Sequence, residues 1–133
     1  MEIGVIAFDT NILVRYLTGD DEAQCKKVDD LIERYKGTGN IFLSNIVLVE
    51  TEWVLHSLYK LSHEAIVDAF EMIASIGQFS FADKDILQSA LKKCKTGSRD
   101  FSDALIGEEG KTRRLKTFTF DKHLRHDGNF VVI

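Results

Sequence analysis

The chain has 133 residues, of which 44% are hydrophobic and 29% are charged, and its formal net charge is -4. This composition is ordinary for a folded domain and excludes a disordered chain, and the negative charge argues against nucleic-acid binding by bulk positive charge alone. No apolar run approaches the roughly 20 residues of a membrane-spanning helix, and we see no secretory signal. Cys25 and Cys94 lack metal-ligand spacing, which predicts reduced thiols in a cytoplasmic protein. We expect a single domain over residues 1–133.

Short apolar runs alternate with helical patterns along the chain. The strands are predicted, in chain order, at 5–8, 41–44, 79–81, 116–120 and 130–133. The helices are predicted at 11–17, 21–36, 46–59, 63–76, 83–95 and 101–114, with a short helical turn at 121–126. Because helices separate the strands, the crossovers are expected to be right-handed and the strands parallel. The predicted fold class is α/β, built as a three-layer α/β/α sandwich.

The first predicted strand stops at a carboxylate, Asp9, and Thr10 and Asn11 follow before the first helix. In open parallel sheets, ligands collect outside the carboxyl ends of the strands. Asp9 is therefore a candidate site residue. The alternative is that Asp9 only caps the first helix, which Asp does well, and the local pattern leaves both interpretations open.

Glu50 lies on the third predicted helix, beside a face that we expect to be buried and that consists of Val47, Thr51, Val54 and Leu58. Glu52 is expected to point away from that face. A carboxylate next to an apolar face needs a partner to offset the loss of its hydration. The alternative for Glu50 is a side chain that extends to solvent.

Two further places carry acids. Asp100 and Asp103 stand at the start of the sixth helix, where an N-cap and a capping box explain both. Asp121 follows the fourth strand as Asp9 follows the first, and strand alternation puts Thr119 on the same side as Asp121. N-capping is the alternative for Asp121 as well.

The topology is expected to bring these acids to one edge of the sheet. Clustered carboxylates repel one another, and Mg²⁺ or Mn²⁺, which prefer oxygen ligands, would remove that repulsion. The chemistry that follows is phosphodiester hydrolysis by a metal-activated water. Thr10, Asn11 and Thr119 are predicted to orient the carboxylates. The cations predicted to contact substrate are Arg15, Arg99 and Lys122, among a wider set that includes Lys95, Arg113, Arg114 and Lys116.

Other phosphate-site classes fit less well. The chain has no Gly-Lys-Ser/Thr loop and so is not a P-loop enzyme. An aspartyl phosphatase would need a second Asp where this chain has Asn11. The histidines lack zinc spacing.

Four short motifs of the sequence match the pattern of a known family. They are Asp9-Thr10-Asn11-Ile12-Leu13, Glu50 within Val47–Leu55, Asp100-Phe101-Ser102-Asp103-Ala104-Leu105-Ile106, and Thr119-Phe120-Asp121. In order and spacing the chain resembles a PIN domain over nearly its whole length, and within that family the VapC-type toxins of prokaryotic toxin–antitoxin pairs.

This resemblance implies a parallel five-stranded sheet of order 3-2-1-4-5 and a Mg²⁺- or Mn²⁺-dependent endoribonuclease. It also implies a homodimer that binds an RNA substrate and is inhibited by a small cognate antitoxin. By motif match, the metal-binding catalytic acids are Asp9, Glu50, Asp103 and Asp121. The supporting residues are Thr10, Asn11, Asp100 and Thr119.

The sequence departs from the family pattern at Gly107-Glu108-Glu109-Gly110, where small apolar residues are usual. Each glycine is expected to weaken the sixth helix by roughly 1 kcal/mol relative to alanine. Three alternatives to a toxin remain open. They are a PIN nuclease that processes RNA without an antitoxin, a PIN domain that only binds partners, and a signalling receiver domain with an acidic pocket.

Overall fold

A computed structural model describes residues 4–97 and 99–133. The chain divides into two compact units, residues 1–82 and 83–133. All predicted strands and helices are present in the described part, most of them shorter by one to a few residues. The fold is mixed α/β, rich in helices and with parallel strands, as predicted. The single domain over residues 1–133 stays a prediction.

The first unit holds three strands and four helices. The strands are β1 (Ile6–Ala7), β2 (Ile41–Leu43) and β3 (Phe79–Phe81), and the helices are α1 (Thr10–Thr18), α2 (Glu22–Arg34), α3 (Asn45–Ser57) and α4 (His63–Ser75). The strands pair in parallel in the order β1-β2-β3, so that Ile41 is opposite both Ile6 and Phe79. This agrees with the 3-2-1 part of the predicted strand order.

Each helix of the first unit begins at a side chain that accepts a hydrogen bond from the backbone three residues later. The capping residues are Asp9, Asp21, Ser44 and Ser62. Such caps satisfy backbone N–H groups that the helix itself leaves unbonded. Helix α1 ends at Gly19, whose φ of 68° is a left-handed conformation that glycine adopts without strain.

The buried face of α3 differs from the prediction by one position. Leu48, Thr51, Glu52 and Leu55 are buried, whereas Leu58 is 68% exposed. Glu52 therefore points into the protein, and the expectation that it points away was wrong. The helix carries two apolar rows at helical spacing, and the row that starts at Leu48 packs inward, which the pattern alone could not decide.

Two helices and two strands make up the second unit. They are α5 (Lys84–Thr96), α6 (Phe101–Thr112), β4 (Thr117–Thr119) and β5 (Phe130–Val132), with a 3₁₀ turn at Lys122–Leu124. Strands β4 and β5 are parallel neighbours, as predicted. The pairing of β1 with β4, which a single five-stranded sheet requires, is not confirmed and stays a prediction.

The two glycines of α6 have a packing role that the sequence interpretation missed. A Cβ at Gly107 would lie 2.8 Å from Cε2 of Phe130, and one at Gly110 would lie 2.7 Å from Oγ1 of Thr117. Both distances are far shorter than van der Waals contact. A side chain at either position would therefore require the Phe130 ring or the Thr117 hydroxyl to move. The lost helix propensity is thus exchanged for close helix–strand packing.

No helix in the described ranges is long and apolar enough to span a lipid bilayer.

Candidate functional site

Asp9 occupies the N-cap of α1, and its Oδ1 accepts a hydrogen bond of 3.0 Å from the backbone N–H of Ile12. The interpretation of Asp9 as an N-cap is therefore correct. Capping, however, uses only one of the two carboxylate oxygens of Asp9. The other, Oδ2, accepts no hydrogen bond from any residue that the structure describes, and the side chain is exposed. A carboxylate in this position has lone pairs left for a cation.

The first two motifs meet inside the first unit. Thr10, which directly follows Asp9, donates a hydrogen bond of 3.3 Å from Oγ1 to Oε1 of Glu50 on α3. Helices α1 and α3 pack against each other, and Glu50 is exposed on α3. Two acids that are 41 residues apart in sequence are thus linked through a single threonine. Asn11, the next residue of the motif, is exposed beside them.

The third motif opens α6 in the second unit. Oδ1 of Asp100 accepts a hydrogen bond of 2.9 Å from the backbone N–H of Asp103, so Asp100 is the N-cap. Asp100 is exposed and Asp103 is half-buried in the first turn. Both carboxylates lie at the positive end of the helix dipole, which stabilises negative charge there.

Asp121 begins the 3₁₀ turn that follows β4. Its Oδ1 accepts hydrogen bonds from the backbone N–H of His123 (2.9 Å) and from the His123 ring (3.1 Å between Nδ1 and Oδ1). These bonds, with the backbone donor first, hold the pKa of Asp121 below its usual value. Oγ1 of Thr119 accepts a hydrogen bond of 3.0 Å from the backbone N–H of Asp121. Thr119 therefore supports this acid through its backbone.

The cations predicted to contact substrate differ in their surroundings. Arg15 on α1 donates to Oε1 of Gln24 (2.7 Å) and pairs with Asp20, which also accepts from the hydroxyl of Tyr59. The hydrogen bond to Asp20 raises the pKa of the Arg15 guanidinium. Arg15 therefore ties α1 to α2 and to the end of α3, and its role in substrate binding stays a prediction.

In the second unit, the other two of these cations, Arg99 and Lys122, differ in whether their charge is paired. Nε of Arg99 lies 2.7 Å from Oδ2 of Asp127, and Nη1 donates to the backbone carbonyl of Lys93 at 2.7 Å. Lys122 is exposed, and its ammonium has no partner in the part of the chain that the structure describes. Of these two cations, Lys122 is therefore the one whose charge is available to a ligand.

A buried polar cluster in the second unit, which we call the Asp127 cluster, was not predicted. It consists of Lys93, Arg99, Glu108, Asp127 and Asn129. The Asp127 side chain is 1% exposed and that of Glu108 is 7% exposed. Burial raises the pKa of Asp127, but the backbone N–H of Asn129 and the charges of Lys93 and Arg99 outweigh it, so the net shift is downward.

The sequence does not indicate this cluster, because the residues that form it are typical of exposed positions. Asp127-Gly128-Asn129 reads as an exposed turn, and Glu108 reads as surface charge on a helix. The available signal was the placement of Asp127 and Asn129 directly before the buried residue Phe130 of β5. A sequence alone does not show which distant lysine and arginine approach such a residue.

The donor chemistry suits a hard divalent cation. Every predicted ligand is a carboxylate, and Mg²⁺ is usually held by one or two carboxylates together with water. In the first unit, Thr10 joins Glu50 to the residue next to Asp9, and two such carboxylates would fit a partial shell of this kind. Within each unit taken by itself, the described residues include no group of three acids, histidines or cysteines placed to hold a metal.

Comparisons with known proteins bear on the family. The family model described as PIN domain matches residues 6–128. No curated protein matches the chain. A structure of Mycobacterium tuberculosis VapC20, described as a sarcin-ricin loop cleaving toxin, is 19% identical, covers 96% of this chain and 98% of its own, and has a TM-score of 0.43.

A toxin–antitoxin complex from Klebsiella pneumoniae is also similar. It is 16% identical, with 97% of each chain covered and a TM-score of 0.36. Both TM-scores are below 0.5, so the assignment rests on the match to the family model, which spans most of the sequence. The chain belongs to the PIN domain family.

Proposed function

We propose that this protein is a Mg²⁺- or Mn²⁺-dependent endoribonuclease. The single observation that carries the proposal is the hydrogen bond from Thr10 to Glu50, at 3.3 Å. It links the first two acidic motifs of a PIN sequence in space, next to Asp9, whose second carboxylate oxygen is open. An arrangement that served only to cap α1 would not need a second acid brought to the same helix end.

The four acids Asp9, Glu50, Asp103 and Asp121 are the proposed metal ligands. When bound, Mg²⁺ or Mn²⁺ lowers the pKa of a coordinated water and offsets negative charge on the scissile phosphate. The protein contributes orientation. Thr10 fixes the Glu50 carboxylate, Thr119 fixes the backbone of Asp121, and Asp100 fixes the first turn of α6 and with it Asp103. Asn11 is proposed to hold Asp9, and Lys122 to contact a substrate phosphate.

The cellular role proposed here is that of the toxin of a type II toxin–antitoxin pair, acting in the cytoplasm as a homodimer and inhibited by a small antitoxin. Support comes from the resemblance of the four motifs to VapC-type sequences. A PIN nuclease that processes RNA without an antitoxin is the second candidate, since it would use the same acids. Growth arrest on expression, relieved by a protein encoded next to the gene, distinguishes the first from the second.

The direct test is RNA cleavage by Asp9→Asn. Asn caps helices as well as Asp does, so this change removes a charge and leaves α1 intact. We expect cleavage of a structured RNA panel by the wild type in Mg²⁺ or Mn²⁺, none in excess chelator, and a loss of at least 100-fold in Asp9→Asn, equivalent to about 2.7 kcal/mol.

Asp21→Asn is the matched control. Oδ1 of Asp21 accepts a hydrogen bond of 2.9 Å from the backbone N–H of Gln24 and so caps α2, which makes the substitution chemically identical at a second helix of the same unit. We expect wild-type cleavage from this variant. Full activity of Asp9→Asn, or of the wild type in chelator, would contradict the proposal.

A further inference from the structure

The Asp127 cluster joins every segment that carries an acid of the second unit's proposed site. Lys93 lies on α5, Arg99 directly precedes Asp100, and Glu108 lies on α6. Asp127 and Asn129 belong to the loop between Asp121 and β5. A network of two partly exposed cations, two buried carboxylates and a buried amide thus connects the start of α6 with the loop that Asp121 opens.

Each of the two carboxylate oxygens of Asp127 has its own contacts. Its Oδ1 accepts a hydrogen bond of 2.9 Å from the backbone N–H of Asn129 and lies 3.5 Å from Nζ of Lys93. Its Oδ2 lies 2.7 Å from Nε of Arg99. These last two atoms make no hydrogen bond of normal geometry with any described residue, so Arg99 and Asp127 are held together as a charge pair.

From Asp127 the connection to Asp121 runs through the backbone. The N–H of Asp127 donates to the carbonyl of Leu124 at 3.0 Å, and the N–H of Leu124 donates to the carbonyl of Asp121 at 3.1 Å. On the other side, Arg99 is covalently next to Asp100, the N-cap of the helix that bears Asp103. Only these few links separate the buried carboxylate from two of the proposed metal ligands, Asp103 and Asp121, and from the supporting acid Asp100.

A buried ionic network is an expensive way to gain stability. Desolvation of the charges offsets most of their attraction, and well-packed apolar residues often serve as well or better. What such a network supplies is a fixed geometry, because each charge tolerates few alternative positions. A site that needs carboxylates from two segments in register has a use for that property.

We propose that Asp127 is a positioning residue for metal binding. Through its ion pair with Arg99 it sets the start of α6, and so Asp100 and Asp103, against the loop that begins at Asp121. This inference rests on the proposed function, because it concerns the same acids. It adds a residue that no motif of the family resemblance includes, and it gives Arg99 a role other than substrate binding.

The test is Mn²⁺ affinity, measured by calorimetric titration of the metal-free full chain rather than by activity. Asp127→Asn keeps the size of the side chain and an acceptor for the N–H of Asn129, but removes the charge that faces Arg99. We expect its dissociation constant for Mn²⁺ to rise at least 10-fold, the range found when groups that orient metal ligands are altered. Cleavage at saturating Mn²⁺ should return to near the wild-type rate.

Glu108→Gln is the control inside the same cluster. It preserves an acceptor for Nδ2 of Asn129, which now donates to Oε2 of Glu108 at 2.6 Å, and it leaves the pair of Arg99 with Asp127 in place. We expect it to lower the melting temperature and to leave the Mn²⁺ dissociation constant within about twofold of wild type, because the side-chain bond between α6 and Asn129 is retained and only the charge of Glu108 is lost. A merely structural role for Asp127 would give both variants this same pattern, and that outcome would overturn the inference.

Arg99→Lys keeps the test decisive if Asp127→Asn does not fold. It retains the positive charge but loses the planar guanidinium, and we expect an intermediate loss of Mn²⁺ affinity. Wild-type affinity in Arg99→Lys would contradict the inference. If the wild type itself neither binds Mn²⁺ nor cleaves RNA, the proposed function fails instead, so the two failures are distinguishable.

Discussion

Each unit contains a network of charged side chains that connects separate segments, and the two networks differ in burial. In the first unit Arg15 on α1, Asp20 and Tyr59 connect α1 with the segments that follow α1 and α3, and the Asp20 side chain is 41% exposed. In the second unit Arg99 and Asp127 connect two segments, and the Asp127 side chain is 1% exposed. Water reaches the carboxylate of the first network and not that of the second, whereas the cations Arg15 and Arg99 are 26% and 18% exposed. The same ion-pair chemistry is therefore a modest support in one place and a geometric constraint in the other.

The largest expected effect comes from removing one partner of each network. Asp127→Ala removes the buried carboxylate beside Arg99, whose side chain is 18% exposed, and we expect a loss of about 3 kcal/mol in the free energy of unfolding, the lower end of the range for a broken buried pair. Asp20→Ala returns Arg15 to water, so its loss should be far smaller. Urea unfolding of both variants measures the difference, and equal losses would remove the distinction between the two networks.

Glycine packing gives a second comparison. A Cβ at Gly107 would overlap the Phe130 ring, and overpacking of this kind lowers stability by about 1–3 kcal/mol. This loss exceeds the gain in helix propensity of about 1 kcal/mol when alanine replaces glycine. We expect a net loss of about 1 kcal/mol in Gly107→Ala, measured by thermal unfolding. At Gly77 in the first unit, no atom of the described residues lies within 4 Å of the position that a methyl group would take, so Gly77→Ala should change stability by less than about 0.5 kcal/mol. A stabilised Gly107→Ala would show that the helix tolerates the methyl group.

The pH dependence follows from the lowered pKa of Asp127. Because the folded value is below the unfolded value of about 3.9, the ionised group stabilises the fold above that pH. The contribution is lost as the pH falls through about 4 towards the folded pKa. Asp127→Asn should therefore be less stable than the wild type at about pH 7 and should lose less stability between about pH 5 and 3. Parallel acid unfolding curves for the two proteins would contradict this assignment.

Salt is expected to give the smallest effect. At about 1 M ionic strength the Debye length is about 3 Å, which screens the exposed Asp20 pair but not the buried Asp127 pair. The difference in urea midpoint between Asp20→Asn and the wild type should shrink in about 1 M NaCl. The difference for Asp127→Asn should remain. If high salt reduced both differences equally, the second network would have to be accessible to water.

Local signals in the sequence predicted much of the fold. Ser62 and Asp83 begin α4 and α5 as their capping chemistry requires, and Phe79–Phe81 forms β3 at the predicted residues. These outcomes depend on residues within one turn or one strand, where spacing carries the information. The N-caps at Asp9 and Asp100 were recognised as alternatives for the same reason.

Long-range packing was not predictable in this way. Helix α3 carries two apolar rows, and because the row that includes Leu48 packs inward, Glu52 is buried rather than exposed. Gly107 looked unfavourable as a helix residue, but the Phe130 ring lies where its side chain would be. The partners of Asp127 include Lys93, which is 34 residues away in the sequence, and Arg99 on the same distant segment. In each case the deciding atom belongs to a part of the chain that no local pattern contains.

The central proposal is that the four acids are metal ligands, and Mn²⁺ binding tests it most directly. Electron paramagnetic resonance of free Mn²⁺ measures how much metal each protein sequesters. We predict that the variants of the four acids each weaken sequestration at least 10-fold, while Asp21→Asn matches the wild type. These variants are Asp9→Asn, Glu50→Gln, Asp103→Asn and Asp121→Asn. Sequestration at the wild-type level by Asp103→Asn and Asp121→Asn would contradict the claim, since the acids of the second unit would then take no part in holding the metal.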